Sequence, residues 1–163
     1  MKKTHIRFII FAVLSILVLI FIFYNSSRTG EQSNETSLRL MDFILSIIDP
    51  QGKLDTKIVH FVVRKAAHFA EFFAFGLCLC GMALAVLDDT ERFYASFSLL
   101  VALFAAVIDE LIQSFTSRTS SVKDVLLDFA GSFTGVIIAF LIGKIRRSHK
   151  AKAKNNNKKS LSQ

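Results

Sequence analysis

The sequence predicts an all-α integral membrane protein, a bundle of four transmembrane helices with an extracytoplasmic amphipathic helix in the first loop. Hydrophobic residues make up 52% of the 163 residues, which leaves too little polar surface for a soluble domain of this size. The apolar residues are also concentrated in uncharged runs, which is typical of membrane spans. These runs cover residues 8–24, 72–87, 93–108 and 129–143.

The first span is predicted at about residues 7–25, and Lys2, Lys3 and Arg7 precede its apolar run. Its uncharged run is longer than the core of a usual signal peptide, and the stretch from Phe23 to Ser26 does not resemble a small-residue cleavage site. We therefore expect an uncleaved anchor. Because basic residues beside a span mark the cytoplasmic side, this helix is predicted to run from the cytoplasm to the outside.

Residues 25–56 are predicted to form the only long loop, on the outer side of the membrane. The polar stretch 25–37 is expected to be irregular. Between Leu38 and Ile48, apolar residues recur at helical spacing, which predicts an amphipathic helix on the membrane surface. A lid over the polar site described below is the alternative role for this helix.

The remaining spans are predicted at about residues 57–87, 93–114 and 123–144, which completes a membrane domain of residues 1–145. Residues 146–163 are rich in lysine and asparagine and are predicted to be a disordered basic tail. A basic tail beside a span indicates the cytoplasmic side and contact with membrane lipids. Nucleic-acid binding is not expected, because no reading surface accompanies the lysines. The prediction is a multi-pass protein of the cell membrane with both termini in the cytoplasm.

Charged side chains are predicted at membrane depth in the last three spans. Their uncharged runs are 16, 16 and 15 residues long, and such a run covers roughly 24 Å of a hydrocarbon core about 30 Å thick. Charges close the cytoplasmic ends, so the missing turn must come from the outer ends. The outer ends carry Arg64, Lys65, His68, Glu71, Asp109, Glu110, Gln113, Asp124 and Asp128.

Helical phase turns these side chains toward one another. In each span the polar positions fall on one face, and the high free energy of charges in hydrocarbon makes the three faces meet. Gly131 and Gly135 continue the face of the fourth span and would let another helix approach closely below the carboxylates. The three faces are those of His60, Arg64, His68 and Glu71; of Asp109, Glu110 and Gln113; and of Asp124 and Asp128.

The residue types allow several kinds of chemistry. His68 beside a carboxylate could act as a general base, and with acids from two other helices it could bind a metal ion, although no recognised zinc spacing is present. Arg64, Lys65 and Arg118 could bind a phosphate or carboxylate. A buried ion-pair network is the structural alternative, but such networks add little net stability.

Three ordered motifs resemble those of the VanZ-like membrane proteins. Residues 64–72, RKAAHFAEF, resemble the pattern R-K-x-x-H-x-x-E-[YF], with Phe72 where Tyr is frequent. Residues 109–115, DELIQSF, resemble the pattern D-E-x-x-Q-x-F. The third pattern, R-x-x-S-x-x-D-x-x-x-[ND]-x-x-G, is matched by Arg118, Ser121, Asp124, Asp128 and Gly131, with Asp128 where Asn is common.

The resemblance implies a bacterial cell-envelope protein, and the namesake of the family is associated with low-level teicoplanin resistance. We therefore expect an outward-facing site that recognises or processes an anionic or peptide-like envelope component, with an effect on glycopeptide susceptibility. The alternatives are a small transporter or channel subunit, or a membrane scaffold. The residues leave open whether the protein is an enzyme, its metal and cofactors, and its oligomeric state. The expected catalytic residues are His68, Glu71, Asp109 and Glu110, and the expected substrate-binding residues are Arg64, Lys65, Gln113, Arg118, Asp124 and Asp128.

Overall fold

A computed structural model describes residues 2–86, 91–116, 118 and 120–160 of the protein. Within these residues the chain forms five helices and no strand, so the predicted all-α class is confirmed. The helices are α1 (Lys2–Ser27), α2 (Gly30–Ile48), α3 (Thr56–Val86), α4 (Glu91–Ser114) and α5 (Val122–Ser160).

Four of these helices are long and apolar enough to cross a membrane. Many of their large apolar side chains lie on the outside of the bundle: Ile9, Leu17 and Phe104 are each more than half exposed. Such an extensive apolar exterior is expected where lipid, not water, surrounds the protein. The prediction of a multi-pass membrane protein is confirmed. The candidate spans are Thr4–Ser27, Thr56–Ala85, Ala95–Ser114 and Val122–His149.

Helix α3 lies at the centre of the bundle and contacts each of the other four helices. α4 also packs against α1 and α5. A buried apolar core joins α1, α3 and α4, and α3 supplies its two largest members, Phe72 and Phe75. The core consists of Ile22, Phe72, Phe75, Leu79, Ala102, Ala105 and Ala106.

Small residues hold α3 and α5 in close contact along what we call the glycine seam. A Cβ atom on Gly131 would come within 2.5 Å of the backbone oxygen of Phe69, and one on Gly135 would overlap the backbone oxygen of Phe73. The prediction that these two glycines allow close helix packing is therefore confirmed. The seam consists of Gly76 on α3 and Gly131, Ser132 and Gly135 on α5.

Helix α2 begins earlier than predicted. The polar stretch 25–37 is helical over most of its length, so the prediction of an irregular segment there is wrong. The physical reason is a capping box: the Gln32 backbone N–H donates to Thr29 Oγ1 at 3.3 Å, and the Thr29 N–H donates to Gln32 Oε1 at 3.4 Å. The amphipathic helix of the predicted fold thus corresponds to α2, which is about two turns longer at its start.

Helix α5 continues to Ser160, into the residues 146–163 for which disorder is predicted. The helical part differs from that expectation, and residues 161–163 lie outside the described residues. The division into a membrane domain and a basic tail stays a prediction. Between the second and third predicted spans, residues 87–90 also lie outside the described residues.

Candidate functional site

The ten residues predicted for the site gather at one end of the bundle, the end at which α1 and α4 finish and α3 and α5 begin. We call them the polar cluster. α3 contributes four of them, α4 three and α5 two, while one comes from the segment between α4 and α5. The members are Arg64, Lys65, His68, Glu71, Asp109, Glu110, Gln113, Arg118, Asp124 and Asp128.

Asp109 lies at the bottom of the cluster and is fully buried. Ser26 Oγ donates a hydrogen bond to Asp109 Oδ1 at 2.5 Å, and Gln113 Nε2 donates one to Oδ2 at 2.6 Å. Each carboxylate oxygen therefore has a donor, which holds the group in one orientation. Ser26 belongs to α1, so the first span contributes to the site as well.

Asp128 has the opposite environment. Its side chain is 1% exposed, yet neither carboxylate oxygen has a hydrogen-bond partner among the described residues. His68 Nδ1 lies 3.9 Å from Asp128 Oδ1 and also has no partner in that part of the chain. Because buried polar groups are nearly always hydrogen-bonded, a buried carboxylate without any donor is exceptional.

Arg118 reaches into the cluster from the segment between α4 and α5. Its Nη2 lies 3.3 Å from His68 Nε2, and its Nη1 donates to the Asn25 backbone oxygen at 3.4 Å. Burial lowers the pKa of the guanidinium, but an arginine remains protonated in a protein. Since a guanidinium can only donate, His68 Nε2 accepts, and the proton of the neutral ring then lies on Nδ1, toward Asp128.

The rim of the cluster, which we define as the partly exposed Lys65 and Asp124, is paired, in contrast to the buried Asp128. Lys65 forms an ion pair with Asp124, and its Nζ lies 5.5 Å from the centre of the Phe61 ring. Glu110 Oε2 accepts a hydrogen bond of 2.9 Å from the Ser121 backbone N–H.

Glu71 is held by α1, not by the histidine one turn before it. Its Oε1 accepts a hydrogen bond of 2.8 Å from Asn25 Nδ2. No hydrogen bond joins Glu71 to His68 in the described part of the chain, where His68 contacts Arg118 instead. An acid–base pair of His68 and Glu71 therefore stays a prediction.

Two cavities meet at the polar cluster. The larger, of about 110 Å³, we call the arginine cleft, because Arg28, Arg64 and Arg118 line it together with one carboxylate, Glu71. The smaller, of about 30 Å³, we call the carboxylate pocket. Arg64, His68 and Arg118 line both cavities. The acids of the carboxylate pocket are Glu110, Asp124 and Asp128.

Helix α2 forms one wall of the arginine cleft through Ser33, Thr36, Ser37 and Leu40. A contact of 3.1 Å between Ser37 Oγ and His60 Nε2 joins it to α3. α2 therefore packs beside the site, as the alternative interpretation of a lid requires.

Three residues of the site were missed by sequence reasoning: Asn25, Ser26 and Arg28, at and just after the end of α1. A signal for them exists, because polar residues that directly follow the first span lie at the same depth as the polar ends of the other spans.

The contacts do not form a closed ion-pair network. Such a network would pair the arginines with the carboxylates. Within the described residues, however, Lys65 and Asp124 form the cluster's only ion pair between a permanent cation and an acid, and Arg118 donates to a backbone oxygen and a histidine. The cluster therefore has features of a binding site more than of a scaffold.

Fold and site together define a four-span membrane protein with a polar, cavity-forming cluster at one end of its bundle. A family model described as VanZ/LLP1 matches residues 11–143, and the chain belongs to this family. The match contains all three motifs and confirms the resemblance. No curated protein and no solved structure matches the chain.

Proposed function

We propose that this VanZ-like envelope protein opens its polar cluster to the outer face of the cell membrane and there recognises an anionic group of an envelope component. The observation that carries the proposal is the convergence of three guanidinium groups on one cleft. Arg28 follows α1, Arg64 lies on α3 and Arg118 precedes α5, yet all three line the arginine cleft.

The arginine cleft suits a phosphate or a carboxylate. Guanidinium groups bind such oxyanions through paired N–H donors, and three positive charges around one cavity repel one another unless an anion lies between them. Among the described residues Glu71 is the one carboxylate that lines the cleft, and it already accepts a hydrogen bond from Asn25. The lining therefore carries a net charge that an anionic ligand would balance.

The size of the cleft limits what enters it. Its volume of about 110 Å³ is somewhat below the roughly 150 Å³ of an engineered cavity that binds benzene. A phosphate or a terminal carboxylate fits such a space, and a complete glycopeptide or lipid-linked sugar does not. The remainder of the ligand would lie in the outer leaflet or outside the membrane.

The placement of basic residues supports the outward orientation. Lys2, Lys3 and Arg7 begin α1, and the lysine-rich stretch follows the last span, so both lie at the end of the bundle opposite the polar cluster. Basic residues beside spans mark the cytoplasmic side. The adjoining His68 and Glu71 would allow the site to process its ligand as well as bind it.

Teicoplanin susceptibility of a Gram-positive host that carries the gene tests the function. We expect the wild-type protein to change the minimum inhibitory concentration, and Arg64→Gln and Arg118→Gln to abolish this change at equal membrane abundance. Arg39→Gln is the matched control, because Arg39 is an exposed arginine of α2 that pairs with Glu35 outside the cleft. Equal loss in all three variants would overturn a role for the cleft, and so would full activity of Arg64→Gln and Arg118→Gln.

Cysteine labelling tests the orientation separately. Ser120 is exposed beside Arg118, so Ser120→Cys in a background of Cys78→Ala and Cys80→Ala would provide a single thiol at the polar end. We expect a membrane-impermeant maleimide to label it in intact cells. Labelling only after the cells are opened would place the cluster on the cytoplasmic side and contradict the proposal.

A further inference from the structure

Three side chains of the kinds that bind metal ions converge inside the polar cluster. His68, Asp109 and Asp128 come from α3, α4 and α5, and one ligand atom of each lies within 4.8 Å of the other two. Both carboxylates are almost completely buried. Three helices thus deliver one imidazole and two carboxylates to a single point away from water.

Asp128 supplies an independent indication of a ligand. Both of its oxygens are buried without a partner among the described residues, and so is Nδ1 of His68, 3.9 Å away. A buried carboxylate that lacks any donor raises the free energy of the folded state by several kcal/mol unless a cation or a proton joins it. The unpartnered atoms of the two residues lie side by side, where one cation would satisfy both.

The charges of the cluster also favour a bound cation. With Arg28 of the adjoining cleft, the site holds five carboxylates against four permanent cations, an excess of one negative charge when His68 is neutral and all acids are ionised. A bound cation would offset this excess. An anionic ligand, by contrast, would find no permanently charged cation beside Asp128 in the described contacts.

The environment of Asp109 resembles the support that proteins give to metal ligands. Ser26 and Gln113 each donate to one carboxylate oxygen, at 2.5 and 2.6 Å, so the group is held in place from the side of α1 and α4. A carboxylate oxygen has two lone pairs, and one hydrogen bond leaves the other free for a metal ion. Metal-binding carboxylates are themselves usually hydrogen-bonded in this way.

We infer that His68, Asp109 and Asp128 bind one divalent transition-metal ion, such as Zn²⁺ or Mn²⁺, beside the arginine cleft. An imidazole with two carboxylates favours these ions over Ca²⁺, which takes six or more oxygens, and over Mg²⁺, which keeps most of its water. Three protein ligands leave a position open, as in catalytic zinc sites. His68 lines both cavities, so the open position can face the cleft.

Binding requires a small contraction of the site. Ligands of a tetrahedral zinc ion, at about 2.0–2.2 Å from the metal, lie roughly 3.4 Å from one another. His68 Nδ1 and Asp128 Oδ1 are 3.9 Å apart, and the most distant pair lies within 4.8 Å. Side-chain rotations that move the ligand atoms by about 1 Å therefore complete the site without movement of the helices.

Arg118 and the metal ion compete for His68. A metal ion on Nδ1 leaves the ring proton on Nε2, where the Arg118 guanidinium, itself only a donor, can no longer bond. Arg118 must then withdraw from its 3.3 Å contact with Nε2. Arg118→Gln removes this opposition, because an amide oxygen accepts a hydrogen bond from Nε2–H, and it also removes a positive charge. We expect this variant to bind the metal at least tenfold more tightly.

Metal titration of the purified full-length protein in lipid nanodiscs tests the inference. The protein is stripped with a chelator and titrated with Zn²⁺ and, separately, with Mn²⁺, while bound metal and thermal unfolding are measured. We expect saturable uptake of one ion per chain by the wild type and a rise in its unfolding temperature. No anionic ligand is added, so a failure here leaves the proposed anion recognition intact, and a failure of the teicoplanin assay leaves this inference intact.

Isosteric variants separate ligation from diffuse attraction. Asp128→Asn and His68→Gln should each lower the affinity at least 100-fold, since they remove a direct ligand and even supporting residues typically contribute 10–100-fold. Glu71→Gln removes one charge of the cluster without touching the three ligands and should lower it far less. Asp42→Asn, on the exposed face of α2, should change nothing.

Three outcomes would overturn the inference: no saturable uptake by the wild type, equal loss in Asp128→Asn and Glu71→Gln, or full uptake by Asp128→Asn and His68→Gln. If either Asp128→Asn or His68→Gln is not recovered as folded protein, metal binding by the other variant and by Arg118→Gln tests the inference. Weaker or unchanged binding by Arg118→Gln would contradict the competition between Arg118 and the metal.

Discussion

The polar cluster and the glycine seam lie one above the other on the same two helices, α3 and α5, but they join these helices in opposite ways. In the seam, backbone meets backbone, and Ser132 Oγ donates a hydrogen bond of 3.1 Å to the Phe72 carbonyl oxygen, so no space is left. In the cluster, side chains surround two cavities and Asp128 lacks a partner. The difference indicates that the seam stabilises the bundle, whereas the cluster reduces stability in exchange for a site.

The largest expected effect is a break in the seam. Gly135→Ala places a Cβ against the Phe73 backbone oxygen, which cannot move without shifting α3, so we expect it to lower the free energy of unfolding by about 2–3 kcal/mol. Gly143→Ala is the matched control, since its Cβ meets only the end of the Leu84 side chain. Unfolding in mixed micelles with increasing denaturing detergent measures both. Equal destabilisation would show that close backbone packing is not what holds α3 to α5.

A carboxylate that reduces stability should be replaceable without loss of folded protein. We expect Asp128→Asn to raise the free energy of unfolding of the metal-free protein by about 1–3 kcal/mol, because an amide avoids the cost of burying or neutralising a carboxylate that has no donor. The same variant should keep its normal membrane abundance, since the third motif also accepts Asn at this position. A fall in abundance would mean that the cluster is structural.

The hydrogen bond from Ser26 to Asp109 should affect metal affinity more than it affects the stability of the bundle. Ser26→Ala removes one donor to a buried carboxylate, and we expect a loss of about 1 kcal/mol of stability but a 10–100-fold loss of metal affinity. Ser27→Ala, at an exposed serine that bonds only to the Tyr24 backbone in the described contacts, is the control. Calorimetric metal titration and unfolding curves of the two variants are compared. Identical values would remove Ser26 from the site.

The rim should contribute less than the interior. Lys65 and Asp124 form an ion pair whose side chains are 32% and 24% exposed, so its loss in Lys65→Met should lower the free energy of unfolding by less than about 1 kcal/mol. The effect should also shrink in high salt, because partly exposed pairs are screened. Unfolding at low and high ionic strength checks this. A larger, salt-independent loss would show that the rim holds the helices together.

The smallest effect is expected at the far end of the chain. Deletion of residues 146–163 leaves the polar cluster and the glycine seam intact, so teicoplanin susceptibility and metal uptake should change by less than twofold. A scaffold that docks partners through its basic tail would lose all function in this deletion. Pull-down of lipid vesicles with anionic headgroups should weaken, since lysines beside a span contact such lipids.

Much of the site could be predicted because depth and helical phase are properties of each segment alone. Span length and 100° steps around each helix identified most residues of the polar cluster, whereas Arg118, between two spans, was named from its residue type and from the third motif. The contribution of α1 was not predicted, because Asn25 and Ser26 are uncharged and follow an apolar run without charged residues. The start of α2 was missed for a different reason, since the pair Thr29 and Gln32 signals a helix only through its capping hydrogen bonds.

The sequence by itself determined the four spans, the common depth of the charges and the face on which each lies. These features follow from hydropathy and from the helical repeat, which act within one segment. Only the tertiary structure decided the partners: Asp109 with Ser26, His68 with Arg118, and Asp128 with none. The physical reason is that a hydrogen bond is lost when the distance between donor and acceptor increases by less than about 1 Å. Distances of that size are set by how closely the glycine seam draws α3 and α5 together.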